Sequence, residues 1–171
     1  RYKACPPKVM CEYFRAWRKS LTGDERKALR KYRKTLGLKN NINAKLRSGI
    51  VPPDAVIISG ALQRTDIAEP LIVYRTLAKE NIRMSKLEEG SLFVCSDFKG
   101  THVGEIITRR NRLGHIMLIL LPPEIHAAYI NNLTCFFRHE KELLIDRGQC
   151  FRLLEKRKMF GKDGYIVRAG N

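Results

Sequence analysis

Three groups of side chains in this 171-residue chain have types and spacings suited to chemistry. Arg75 lies inside the otherwise apolar run Leu71-Ile-Val-Tyr-Arg-Thr-Leu77. A guanidinium there has to be paired, and planar phosphate or carboxylate groups fit its fork; a structural ion pair would satisfy it equally. Glu140-Lys141-Glu142 opens a second run that closes at Gly148. At a strand period of two, Glu140 and Glu142 project to one face, and carboxylates that close push one pKa upward unless cations intervene. Such a pair can stabilise an oxocarbenium-like centre and orient or deprotonate a nucleophile. An exposed edge of alternating charge is the plainer alternative. Phe93-Val-Cys-Ser-Asp97 is an apolar strand ending in small polar groups. These can hydrogen-bond a ligand or a catalytic carboxylate, or simply lead into a turn.

Periodicity and punctuation indicate the elements that hold these groups. Val9, Met10, Tyr13, Phe14, Trp17 and Leu21 approximate a helical stripe over residues 8–21. Thr22-Gly-Asp-Glu25 is a capping-box pattern; it opens a strongly basic helix running to about Leu36, stopped by Gly37. A short helix follows around Ile42–Arg47. After Pro52-Pro53, Asp54 is expected to cap a helix over residues 54–68, which Pro70 prevents from continuing. Strands are expected at Leu71–Leu77, 92–96, His115–Leu121, 142–148 and 150–156, with a last hairpin through 160–164 returning over 165–168. A helix or turn is expected near residues 101–110. Strands in succession, without a helix between each pair, indicate an α+β, mostly antiparallel core and not a doubly wound parallel sheet. Residues 1–69 read as a basic helical lobe and 70–171 as a β-rich core, together one compact domain.

Charge is concentrated in that lobe. The chain carries 33 Lys and Arg against 17 Asp and Glu, and residues 1–50 hold 15 of the bases with only 3 acids. The imbalance suits an acidic partner such as nucleic acid, a nucleoprotein or an acidic protein surface, or a solvated face that maintains solubility. No zinc-finger, RNP or homeodomain pattern supports sequence-specific reading. A 44% hydrophobic content excludes disorder. The longest apolar run, residues 116–121, is too short to span a bilayer. Arg1, Lys3 and Lys8 precede no long apolar stretch, so no secretory leader is expected, and the missing initiator Met suggests a trimmed chain. Cys5, Cys11, Cys95, Cys135 and Cys150 are odd in number and scattered, and neither they nor the four histidines reach metal-ligand spacing. A reducing, intracellular compartment fits them, as does delivery into a cell after secretion.

Taken in order, Ile42-Asn-Ala-Lys-Leu-Arg47, Ile72-Val-Tyr-Arg75, Phe93-Val-Cys-Ser-Asp97, His126-Ala-Ala-Tyr-Ile130 and Glu140-Lys-Glu-Leu-Leu-Ile-Asp-Arg-Gly148 resemble mono-ADP-ribosyltransferases of the R-S-E class, over roughly residues 32–170. That class includes actin-modifying bacterial toxins and phage enzymes acting on host transcription and translation proteins. The resemblance implies the ADP-ribosyltransferase fold, with two packed, mostly antiparallel sheets beside a helical N-terminal lobe. It also implies NAD as substrate and no metal. Arg75 would hold the NAD phosphates and the nicotinamide-ribose side. Glu142 would contact the ribose 2′-OH and stabilise the oxocarbenium ion, and Glu140 would orient or deprotonate an arginine of a target protein. The family's Ser-Thr-Ser falls on Cys95, Ser96 and Asp97, completing the NAD-binding set; a slip of one residue would end it on Phe98. Phe136, Phe137 and Arg138 occupy the target-recognition loop. Thr76 stands where a Gly is common, and Asp146 where Pro is usual. The expected partner is a host protein associated with transcription or translation, met in a host or target-cell cytoplasm, with nucleic-acid contact through the basic lobe. Modification of nucleic acid, plain NAD hydrolysis, and a catalytically decayed basic binding module are the competing readings.

Overall fold

The computed structural model describes residues 1–78, 80–105, 114–133 and 141–171. Five helices come first: α1 Pro7–Tyr13, α2 Arg15–Ser20, α3 Gly23–Lys34, α4 Ile42–Arg47 and α5 Pro53–Leu62. The single helix expected over 8–21 is broken at Phe14, whose φ of −90° and ψ of 10° leave the helical region. The break follows from packing. Phe14 is buried, and α2 is set so that Trp17 Nε1 donates to the Ala61 carbonyl of α5 at 2.8 Å. The capping box forms as expected: Thr22 Oγ1 accepts from the Glu25 amide at 3.2 Å, and Glu25 Oε2 accepts from the Thr22 amide at 3.0 Å.

The α5 expectation needs two corrections. Pro52 stands at the cap and Pro53 at the first helical position, where its missing N–H costs nothing. Asp54 lies inside the first turn and forms an ion pair with Lys31 Nζ at 2.9 Å. The helix also stops at Leu62 instead of reaching Ala68, because Arg64 and Thr65 bond back three residues to Ala61 and Leu62 and tighten the last turn.

The strands are β1 Lys3–Ala4, β2 Leu71–Leu77, β3 Leu92–Cys95, β4 Lys99–His102, β5 His115–Leu121, β6 Ala127–Tyr129, β7 Glu142–Ile145, β8 Gln149–Met159 and β9 Lys162–Ala169. A sixth helix, α6 Glu80–Lys86, follows β2. The hydrogen-bonded order is β3-β8-β9-β5-β2-β4-β7-β6, with β1 beside β2. Pairing is antiparallel except for β1–β2 and β5–β9. The two expected sheets are therefore two strand groups on one continuous path. Their seam is narrow: β2 pairs with β5 along all seven of its residues but meets β4 at Tyr74↔His102 alone.

Of the helix or turn expected near residues 101–110, Thr101 and His102 instead belong to β4, and residues 106–110 lie outside the described residues. Lys-Gly-Thr-His has little strand pattern of its own. Four successive pairings with β7, from Lys99↔Ile145 to His102↔Glu142, impose it, and Thr101 Oγ1 donates to the Leu143 carbonyl at 2.8 Å. One hydrophobic cluster joins Leu29, Ile58 and Leu62 of the helices to Val73, Ile119, Leu144 and Val167 of the strands. Among the described residues no helix is long and apolar enough to cross a membrane.

Candidate active site

The β2/β4 seam opens onto a cleft of about 780 Å³. Arg75, on β2, sits where the ladder parts, and its guanidinium spans the gap: Nη1 donates to the Gly100 carbonyl of β4 at 2.9 Å. The rest of the fork grips Glu80 at the start of α6, through Nε at 3.2 Å and through Nη2. Burial works against the charge on Arg75, but the Glu80 carboxylate outweighs it and leaves the guanidinium above its ordinary pKa. For Glu80 burial acts upward, and the hydrogen bonds and charge of Arg75, with Lys99 and Arg47 behind, hold it below the usual carboxylate range.

Asp97 continues this wall. It is buried, accepts from Arg47 Nη1 of α4 at 2.8 Å, and lies 3.4 Å from Lys99 Nζ. Lys99 in turn lies 3.9 Å from Glu80. The run Arg47–Asp97–Lys99–Glu80–Arg75 thus alternates in sign along one side of the cleft. Arg83 of α6 also lines it, with its guanidinium 5.8 Å from the Phe93 ring centroid.

Cys95 and Ser96 border the cleft beside Asp97. Phe98 does not; it packs edge-on against Tyr32 with ring centroids 5.8 Å apart, so Cys95, Ser96 and Asp97 form the cleft-facing triplet. Burial, more than the neighbouring Asp97 charge, pushes the Cys95 thiol up against the pull of Lys99. It therefore stays a neutral, weak hydrogen-bonding group.

Glu142, the first residue of β7 and only 5% exposed, lines the cleft across Gly100 from Arg75. Its Oε2 lies 3.5 Å from Arg33 Nε of α3. Its Oε1 occupies space that a side chain on Gly100 would need: a Cβ there would come within 2.6 Å. Burial, joined by the Glu142 charge, pushes the Tyr32 phenol well above its ordinary pKa. Lys141, directly before, has a φ of 48°, in the left-handed region, and its amide donates to Asn131 Oδ1 at 2.9 Å. The period-two argument for Glu140 and Glu142 required an extended Lys141, and this backbone does not supply one. Glu140 itself, like Phe136, Phe137 and Arg138, lies outside the described residues.

Of the expected site residues, the cleft brings together Arg75, Cys95, Ser96, Asp97 and Glu142. Sequence reasoning missed Glu80, Lys99, Gly100 and Arg33. Arg33 left a usable signal: it falls on the stripe Ala28, Leu29, Tyr32, Arg33, which is the buried face of α3. Gly100 left none, since its role depends on the partner strand.

The arrangement is a cleft with cationic side chains along one wall and a buried carboxylate at its end. The fold is shared widely. The chain superposes on Plx2a, an ADP-ribosyltransferase toxin from Paenibacillus larvae, with a TM-score of 0.79 at 14% identity over 96% of this chain and 94% of that one. It matches the C3 exoenzyme of Clostridium limosum with a TM-score of 0.78 at 14% identity, over 100% and 98% of the two chains. With the enzymatic component C2-I of the C2-toxin from Clostridium botulinum the TM-score is 0.77 at 17% identity, covering 97% of this chain but 47% of that one. No curated protein sequence matches the chain. The family model described as ADP-ribosyltransferase exoenzyme matches residues 11–167, the span that carries the cleft and both of its walls, and the chain belongs to that family.

Proposed function

We propose that this chain cleaves the N-glycosidic bond of NAD and transfers the ADP-ribose to an arginine of a host protein. The observation that carries the reading is Glu142: a buried carboxylate at the end of a cleft whose other wall carries Arg47, Arg75, Arg83 and Lys99. The cations suit a pyrophosphate, and the bidentate fork of Arg75 suits it best. Glu142 then faces the ribose. As nicotinamide leaves with the bonding electron pair, positive charge develops on the ribose ring, and a fixed carboxylate in a site of low dielectric stabilises it. When a guanidinium nitrogen attacks the anomeric carbon, one proton must leave that nitrogen. Glu140 is assigned to orient the guanidinium and accept the proton, since an arginine side chain is protonated at neutral pH. Cys95, Ser96 and Asp97 border the bound dinucleotide, with Asp97 acting through Arg47 and Lys99. Phe136, Phe137 and Arg138 are assigned to the target, and the reaction to a host or target-cell cytoplasm.

A second reading has one specific support, the 15 bases against 3 acids in residues 1–50: the acceptor is nucleic acid. Radiolabelled NAD offered with a lysate, with RNA and with DNA separates the two. Label on protein that vanishes with Glu142→Ala supports the first reading, and label on nucleic acid supports the second. NAD that is neither consumed nor transferred rejects both.

A further inference from the structure

Most bases of α3 are solvated, as Lys27, Lys31 and Lys34 are. Arg33 is not: its side chain is 1% exposed. Enclosing a guanidinium is costly unless its charge and its N–H groups are met, so its partners define why it is there. Nη1 donates to the Ile130 carbonyl at 3.1 Å, and Nε faces Glu142 Oε2 at 3.5 Å. The Ile130 amide donates to the Glu142 carbonyl at 3.0 Å. Arg33 therefore bonds to the Ile130 carbonyl and meets the Glu142 carboxylate as an ion pair, while the Ile130 amide bonds to the Glu142 backbone, so the three residues are linked through α3. One turn earlier on the same helix, Arg30 Nε donates to the Leu133 carbonyl at 3.2 Å. Two arginines of α3 thus hold the segment leading toward β7. On the far side of the carboxylate, Gly100 leaves just the room that Oε1 occupies.

We propose that Arg33 is a positioning residue, which holds the Glu142 carboxylate in the one orientation that faces the cleft. The catalytic consequence rests on the transferase reading; the pairing does not. Arg33 touches neither substrate nor reacting atoms and acts only through Glu142. The other titratable or charged groups around Glu142 are Tyr32 of α3, His102 of β4, Arg75 of β2 across Gly100, Asp97 before β4, and the adjoining Lys141. All are kept in the variants that test the idea.

The test compares Arg33→Met and Arg33→Lys with the unmutated chain in two measurements. The first is nicotinamide release from NAD, resolved into kcat and KM. The second is a carboxyl 13C NMR titration of Glu142, assigned by the signal that Glu142→Gln removes. Arg33→Met is expected to lower kcat by about 30-fold or more with KM for NAD within about 3-fold, the pattern of a lost transition-state interaction. In the same variant the Glu142 signal should titrate at higher pH, because the cation that favours its charged form is gone. Arg33→Lys restores the charge without the fork, so both measures should return part of the way; it also carries the test should Arg33→Met fail to fold. Unchanged kcat together with an unmoved Glu142 titration in folded variants overturns the proposal. An unmutated chain that releases no nicotinamide rejects the transferase reading alone, and the NMR titration then decides the pairing by itself.

Discussion

The two ends of the cleft handle charge in opposite ways. Along the cationic wall, the Arg47–Asp97 and Arg75–Glu80 pairs each keep one member more than a third exposed, and Arg47, Arg75 and Lys99 are each engaged by an acid of the same chain. At the carboxylate end, Arg33 and Glu142 are both almost fully enclosed, and the carboxylate is bounded by Arg33 and Gly100. Partly solvated pairs are weak and exchange readily, whereas breaking a buried pair leaves an uncompensated charge. On the proposed reading, an arriving pyrophosphate takes over Arg75 from the partly solvated Glu80. On the proposed transferase reading, binding belongs to the adjustable wall and chemistry to the carboxylate held by Arg33.

Four substitutions probe this division. Glu142→Gln keeps the volume and removes the charge facing the developing cation; a fall in kcat on the order of 1,000-fold is expected, in line with loss of one preorganised electrostatic group, and single-turnover nicotinamide release measures it. Arg75→Lys keeps the charge but loses the fork, so KM for NAD should rise about 10- to 100-fold with a smaller change in kcat, as read from initial rates. Gly100→Ala places a methyl against Glu142 Oε1 and displaces the carboxylate from the position Arg33 holds it in, since the atoms it meets are those of the Glu142 side chain and not backbone. A kcat loss of about 10-fold with little change in thermal midpoint is expected from such a misplacement; a variant with full activity would show that the carboxylate has room to spare.

Glu80→Gln is the mildest. It removes the acid that competes with phosphate for Arg75, so KM for NAD should fall about 2- to 3-fold, within the range of an exposed ion pair. Its pH signature has a definite sign. The Glu80 carboxyl lies below its unfolded value of about 4.5, so its stabilising effect is present above that value and is lost as pH falls through the lower folded value. Thermal midpoints of the unmutated chain and Glu80→Gln should accordingly differ at neutral pH and converge in acid.

Much of this division could be read from the residues before the fold was known, though unevenly. β2, β5 and α4 occur where apolar alternation and helical spacing put them, at Leu71–Leu77, His115–Leu121 and Ile42–Arg47. These segments carry their own pattern and are buried on it. β4 and β6 do not: Lys-Gly-Thr-His and Ala-Ala-Tyr become strands by pairing with β7, an influence from outside the segment. The same distinction runs through the site. Arg75 announces itself as a charge inside one apolar run, and Glu142 as a charge at the start of another. Glu80 is ordinary in sequence and acquires its role from where α6 begins, while the buried stripe of α3 was hidden under an excess of base that drew attention to its solvated face.

The most direct test of the division is the equilibrium affinity of Glu142→Gln for NAD, measured by calorimetry. A Kd within about 3-fold of the unmutated chain, in a variant that no longer releases nicotinamide, is the result expected if the carboxylate acts on the transition state and not on binding. A Kd weakened as far as that of Arg75→Lys would contradict it, because Glu142 would then belong to the binding wall and the two ends of the cleft would not be separate devices.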